Sequence, residues 1–194
     1  NTCLSGETIA YGPCAFMDAF DYNKVFSSID YQGRYSYKNQ PNVMLWNLTR
    51  FAETLLPLLD KNIDKSIKKA EEMLGEFATL YESSWISNMG RKLGIDTPKI
   101  TDKNLIEEFL NLMQSNELDF NNSFYYLSFL VGNDKNEIET SSNNQKILST
   151  IQSSDWYIKW KTRLNINKKN SQKILKILLI NNPSIVPRNH IVEK

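Results

Sequence analysis

From residue 41 onward, apolar residues recur at helical spacing between short polar breaks, and this pattern predicts a chain made mostly of helices. Val43, Met44, Trp46, Leu48, Phe51, Ala52, Leu55, Leu56 and Leu59 cover too wide an arc for a surface helix, so the first helix is predicted as a buried central one. Asn39 can cap it and Pro41 suits its first turn, while Pro57 should end or kink it near residue 56. Residues 62 to 93 form the clearest amphipathic stretch. Ile63, Ile67, Ala70, Leu74, Phe77 and Tyr81 alternate four and three apart, with Lys or Glu between them. A break is expected around Glu82-Ser83-Ser84 and a stop at Gly94. Such a heptad-like stripe fits intramolecular packing or a coiled-coil partner, and inside a globular chain packing is the expected use.

A further helix should begin at Thr101 or Asp102, bury Leu105, Ile106, Phe109, Leu110, Leu112 and Met113, and end at Asn116. Asp119 opens the next, with Phe124, Leu127, Leu130 and Val131 inward and Gly132 closing it. Residues 133 to 144, almost entirely polar, predict a surface loop. Short helices follow over Ile147 to Ile151, over Asp155 to Leu164 behind a Ser154 cap, and over Ser171 to Ile180. The tail from Asn181, broken by Pro183 and Pro187, should run extended and pack back on the body.

The first forty residues behave differently. Phe16, Phe20, Tyr22, Phe26, Tyr31, Tyr35 and Tyr37 are interleaved with Asp18, Asp21, Asp30 and Arg34 without sustained period, which predicts an ordered loop. Its aromatics either pin the loop to helices beneath or contact a partner; burial is the default for such a cluster. Ahead of it, Thr8 and Ile9 lead into Ala10-Tyr11-Gly12-Pro13, a short strand that stops abruptly at a turn. Kinase-like folds place a metal ligand at such a turn, an Asp that works with a preceding Asn to hold magnesium on nucleotide phosphates. Here Asn1 is present and the acidic residue is Ala10.

The wording of this stretch resembles the selenoprotein O family, also called YdiU, whose segment reads Gly-x-Thr-Ile-Asp-Tyr-Gly-Pro followed by a Phe and an Asp. Asn1, Ser5-Gly6-Glu7-Thr8-Ile9, Tyr11-Gly12-Pro13 and Phe16-Met17-Asp18 fall on it without gaps. The likeness continues through Asp30-Tyr31-Gln32-Gly33-Arg34-Tyr35, Asn39-Gln40-Pro41, Trp46-Asn47-Leu48, Asn182-Pro183 and Pro187-Arg188-Asn189.

The resemblance implies a mainly α chain: the helical large lobe of a protein-kinase-like fold with a short N-terminal β-hairpin. Residues 1 to 40 would form the metal-site hairpin and an activation-segment-like loop, and residues 41 to 194 the helical body. It also implies the chemistry of a protein adenylyltransferase, in which a Ser, Thr or Tyr hydroxyl of a protein substrate attacks the α-phosphorus of ATP with Mg2+ present. Asn1 would be a metal ligand, and Ala10 would sit at the family's ATP- and metal-binding Asp. The proton-acceptor Asp would precede Asn1, so no catalytic residue is assigned within the chain. The C-terminal portion alone is matched, the small lobe is expected to be missing, and the chain is expected to be inactive and to bind neither ATP nor Mg2+. The alternative is a non-catalytic helical interaction module or pseudoenzyme.

Composition narrows the field without deciding it. At 194 residues and 41% apolar content the chain can bury the core of a domain. Its 23 Lys and Arg nearly balance 22 Asp and Glu, so no global field draws it to nucleic acid or anionic lipid. No apolar run approaches the roughly 20 residues that cross a bilayer. Cys3 and Cys14 lack ligand companions and read as small apolar fillers, and so few cysteines suit a reducing compartment and a cytoplasmic protein. The single histidine, His190, excludes a His-rich metal site and reads as a tail-packing residue. Asp18, Asp21 and Asp30 could substitute as metal ligands, although solvent-facing loop positions are commoner. A basic run (Lys159, Lys161, Arg163, Lys168, Lys169, Lys173, Lys176) near Trp156, Tyr157 and Trp160 has the chemistry of a nucleic-acid surface, but its alternation with apolar residues is that of a solvated helix face.

Overall fold

A computed structural model describes residues 16–131, 142–167 and 170–188. Among them the chain is helical, with no strand and one isolated antiparallel bridge, Ala19 to Asp119. The expected hairpin lies in residues 1–15, outside the described residues. Contacts divide the chain into two units, of which the described parts are residues 22–83 and residues 16–21 with 84–188.

The first unit opens with a loop whose end folds back on its start: the Tyr37 N–H donates to the Lys24 carbonyl and the Lys38 N–H to that of Tyr22. A single 3-10 turn, Tyr37–Asn39, leads into α1, Gln40–Leu59. Pro41 occupies its first turn as expected. The helix continues through Pro57 to Leu59 rather than ending near residue 56. Pro57 removes one ladder bond, and in a last turn little of the helix remains downstream to be disrupted. The expectation of a buried central helix is overturned, because only Val43 on α1 is buried while Met44, Trp46, Phe51 and Leu58 are exposed. The physical reason is its surroundings: α1 pairs chiefly with one helix, α2, Ile63–Gly75. A pair of helices can bury only the strip between them. Asn62 caps α2 by accepting from the Asp64 and Lys65 amides, and Lys69 reaches back to the Leu59 carbonyl and the Asp60 carboxylate.

The long amphipathic stretch breaks at Gly75-Glu76, not around Glu82-Ser83-Ser84, and resumes as α3, Phe77–Lys92. Glycine at the end of α2 gives up helix propensity there, whereas two serines inside α3 do not stop it. At the other end of α3 the chain stops as predicted. Gly94 adopts φ +82, the Gly94 N–H bonds the Arg91 carbonyl and the Ile95 N–H that of Gly90, the paired bonds of a Schellman close.

The second unit contains α4, Lys103–Ser115; α5, Phe120–Val131; α6, Ser142–Gln152; α7, Asp155–Leu164; and α8, Ser171–Asn181. Of the surface loop predicted over residues 133 to 144, Ser142 to Asn144 are helical and the rest lies outside the described residues. Phe109, Met113, Phe124, Leu127, Ile151, Trp160 and Leu178 are fully buried. Phe109 stacks on Trp156 at 4.2 Å and meets Phe124 edge-on at 5.1 Å, geometries that add to the burial term. The polar edges of the indoles are satisfied: Trp156 Nε1 donates to the Leu105 carbonyl and Trp160 Nε1 to that of Leu93, both at 2.8 Å.

Candidate functional site

Residues 16–21, which follow the Ala10 motif in sequence, are anchored within the second unit. Met17 and Phe20 are buried. The Phe20 N–H donates to the Leu118 carbonyl at 2.9 Å and the Phe120 N–H to the Asp18 carbonyl at 2.8 Å, so a residue pair on each chain exchanges bonds across the bridge. Phe20 also stacks on Phe120 at 5.6 Å.

Arg188, from the tail, closes this arrangement. Its Nη2 donates to Asp119 Oδ1 at 2.8 Å, and its Nη1 donates to Asp119 Oδ2 and to Asp18 Oδ1. Asp119 Oδ1 also accepts from the Asn122 amide, so the same carboxylate caps the start of α5. Arg188 is largely buried, and its hydrogen bonds to Asp119, with the charge of that carboxylate and of Asp18, raise its pKa above the ordinary arginine value despite the opposing effect of burial. Beside this cluster lies a cleft of about 430 Å³ bounded by Asp18, Glu117, Asn122, Asn143, Lys146 and Arg188. Its two cations are engaged, Arg188 by carboxylates and Lys146 by the Asn116 carbonyl. The cluster therefore fixes a backbone segment and offers no activated nucleophile.

A second pair, the buried Asp102 with the partly exposed Arg163, has the same character. Arg163 Nε and Nη2 grip both carboxylate oxygens at 2.5 and 3.0 Å, while Asp102 Oδ2 accepts from the Lys99 amide. Burial pushes the Asp102 carboxyl up, but the hydrogen bonds from Arg163 and Lys99 outweigh it and leave it below the usual carboxylate range. Lys92 is shifted the other way: burial lowers its pKa. Its ammonium lies over the Phe124 ring and donates to the Asn181 carbonyl.

Asn1, Ala10, Cys3, Cys14 and His190 lie outside the described residues. Of the carboxylates considered as substitute ligands, Asp18 is held by Arg188, and the Asp30 oxygens accept from the Arg34 and Tyr35 amides at 2.9 Å. The aromatics of the loop divide: Phe20 joins the core, whereas Tyr31 and Tyr35 are exposed. In the basic run, Trp156 and Trp160 are core residues rather than stacking platforms. Lys159 pairs with Glu108, Arg163 with Asp102 and Lys173 with Asp96. Sequence reasoning missed the link among Arg188, Asp18 and Asp119. The one signal for it was the motif Pro187-Arg188-Asn189, which marks the arginine without naming its partner.

Residues 1–194 match the family described as Protein adenylyltransferase SelO. A protein nucleotidyltransferase YdiU of Clostridium perfringens is 46% identical over all 194 residues, which amount to 38% of its own length. The corresponding proteins of Alkaliphilus metalliredigens and Brevibacillus brevis are 44% and 43% identical, with 37% and 38% of their lengths covered. The chain thus spans under two fifths of the curated relatives it matches. With the family matched along its whole length, the chain belongs to the SelO family of nucleotidyltransferases.

Proposed function

We propose that this chain is the helical large-lobe segment of a kinase-like protein adenylyltransferase, whose family reaction moves AMP from ATP to a Ser, Thr or Tyr hydroxyl of a protein. We further propose that the segment, as its sequence stands, is inactive. One observation carries both halves: a chain that belongs to the family along all 194 residues has Ala10 inside Thr8-Ile9-Ala10-Tyr11-Gly12-Pro13, where the family's motif has Asp. Magnesium takes oxygen donors. A methyl group supplies none, and it leaves the charge of a metal–nucleotide complex without its acidic counterpart, so the residues present do not fit that group. Among the described residues, no three His, Cys, Asp or Glu side chains are grouped to hold a metal ion elsewhere. Losing one preorganised electrostatic contact of this kind lowers turnover by about 100-fold or more.

The test is calorimetry of the chain titrated with ATP and magnesium. No binding heat is expected from the unaltered chain. Tight magnesium-dependent binding by it would contradict the inactive reading, since Ala10 would then not be limiting.

A further inference from the structure

Arg34 differs from the other well-placed arginines. Arg163 and Arg188 are held by carboxylates, and Arg50 pairs with Glu53 at 2.6 Å. The Arg34 guanidinium has no acid or hydrogen-bond acceptor among the described residues; its contacts are two aromatic rings. Its Cζ lies 4.5 Å from the centroid of Trp46 and 5.8 Å from that of Tyr35.

The backbone that presents it is tightly fixed. Asp30 accepts from the Arg34 and Tyr35 amides, Asn39 Nδ2 donates to the Arg34 carbonyl, and the Ser36 N–H closes a turn on the Gly33 carbonyl. Gly33 sits at φ +65, a conformation that favours glycine, so this turn is specified by the sequence itself. A guanidinium held against aromatic faces keeps the N–H donors along its edge available. That fork matches a carboxylate, and its fixed position means less freedom is lost on binding.

The surroundings select among anions. Trp46 is 48% exposed but already carries two guanidinium groups, Arg34 at 4.5 Å and Arg50 at 5.7 Å. A nucleic-acid base stacking there would compete with these cations for the ring. Arg50 is balanced by Glu53, so the patch offers one uncompensated cation, too few to track a phosphate backbone. The same loop exposes Tyr31 and Ile29 at 92% and 80%, apolar surface that side chains flanking an acidic residue can cover. We propose that Arg34, stacked on Trp46 and Tyr35, is a docking site for an acidic segment of a partner protein, with one Asp or Glu carboxylate taking the guanidinium fork. This surface is independent of nucleotide chemistry and stands whether or not the chain binds ATP.

The experiment titrates a fluorescein-labelled peptide of repeated Glu-Tyr-Leu units with the full chain and follows anisotropy at low and at physiological salt. Saturable binding is expected, weakened by about tenfold or more in Arg34→Met and by a smaller factor in Arg34→Lys, which keeps the charge but loses the fork. Lys173→Gln, a distant change in charge, should leave it unaltered. An unlabelled single-stranded oligonucleotide should not compete. Failure of the unaltered chain to bind the peptide, equal affinity in both Arg34 variants and the parent, or displacement by the oligonucleotide overturns the proposal. So does Arg34-dependent self-association of the chain in place of peptide binding. If circular dichroism shows Arg34→Met unfolded, Arg34→Lys decides alone.

Discussion

The two units use helices of similar apolar content and reach opposite results. In residues 84–188, α4 to α7 each meet more than one other helix and α8 packs on α5, and Trp160, Phe109, Phe124 and Leu127 are fully buried. In residues 22–83, α1 and α2 face chiefly each other; they bury Val43, Ser66 and Ala70, and leave Leu58 and Met73 82% and 71% exposed. Apolar residues make a core only where several elements surround them, because the gain scales with area removed from water. The stability of the chain is therefore expected to reside in the second unit, and the first should be the part that opens at low cost.

The largest separation should come from a pair of tryptophans. Trp160→Ala removes a fully buried ring and leaves the Leu93 carbonyl unpaired, and should cost about 3–5 kcal/mol. Trp46→Ala, on a half-exposed ring, should cost about 1 kcal/mol or less. Urea unfolding with both variants checks the contrast; equal losses would remove it.

Next in size is the Asp102 pair. Asp102→Ala leaves the Lys99 amide uncapped and the partly exposed Arg163 without its partner, a loss expected at about 1–3 kcal/mol. The pH dependence follows from the direction of the shift. A carboxyl whose folded pKa is depressed adds stability above its unfolded value near 3.9, and that stability is lost as pH falls through the folded pKa. The chain should thus lose stability below about pH 4, with a shallower loss in Asp102→Asn. Identical acid profiles would show that the pair contributes nothing to it.

The smallest contrast uses glycines. A Cβ on Gly90 would lie 2.6 Å from Pro98 Cβ, so Gly90→Ala must shift a packed ring and should destabilise by about 1–3 kcal/mol. Gly75 has nothing within 4 Å of such an atom, and Gly75→Ala should stabilise by roughly 0.4–1 kcal/mol. Thermal melts of the two variants moving in the same direction would contradict the packing contrast.

Much of the second unit was legible because its signals are local. Ser154 followed by an acidic residue marks α7, and Gly94 marks the close of α3. The stripe from Ile106 to Met113 has the period of a helix with one buried face. What escaped depends on distant neighbours. The breadth of the apolar arc on α1 gave no measure of how many elements would cover it. The pairing of Arg188 with Asp18 joins positions 170 residues apart. The break at Gly75 was outweighed in the sequence by a stripe that continues past it. The expectation of a metal position at Ala10 rests on the resemblance of its motif alone, since Ala10 has no chemistry of its own.

The proposal that the methyl group of Ala10 disables a metal- and nucleotide-binding motif can be tested on the reaction itself. The measurement is radiolabelled AMP incorporation into protein by a Clostridium perfringens relative whose matching segment is replaced by this chain, with and without Ala10→Asp. Incorporation is expected to be at least about 100-fold higher in the Ala10→Asp form. Equal incorporation by the two forms, or none by either, would contradict it.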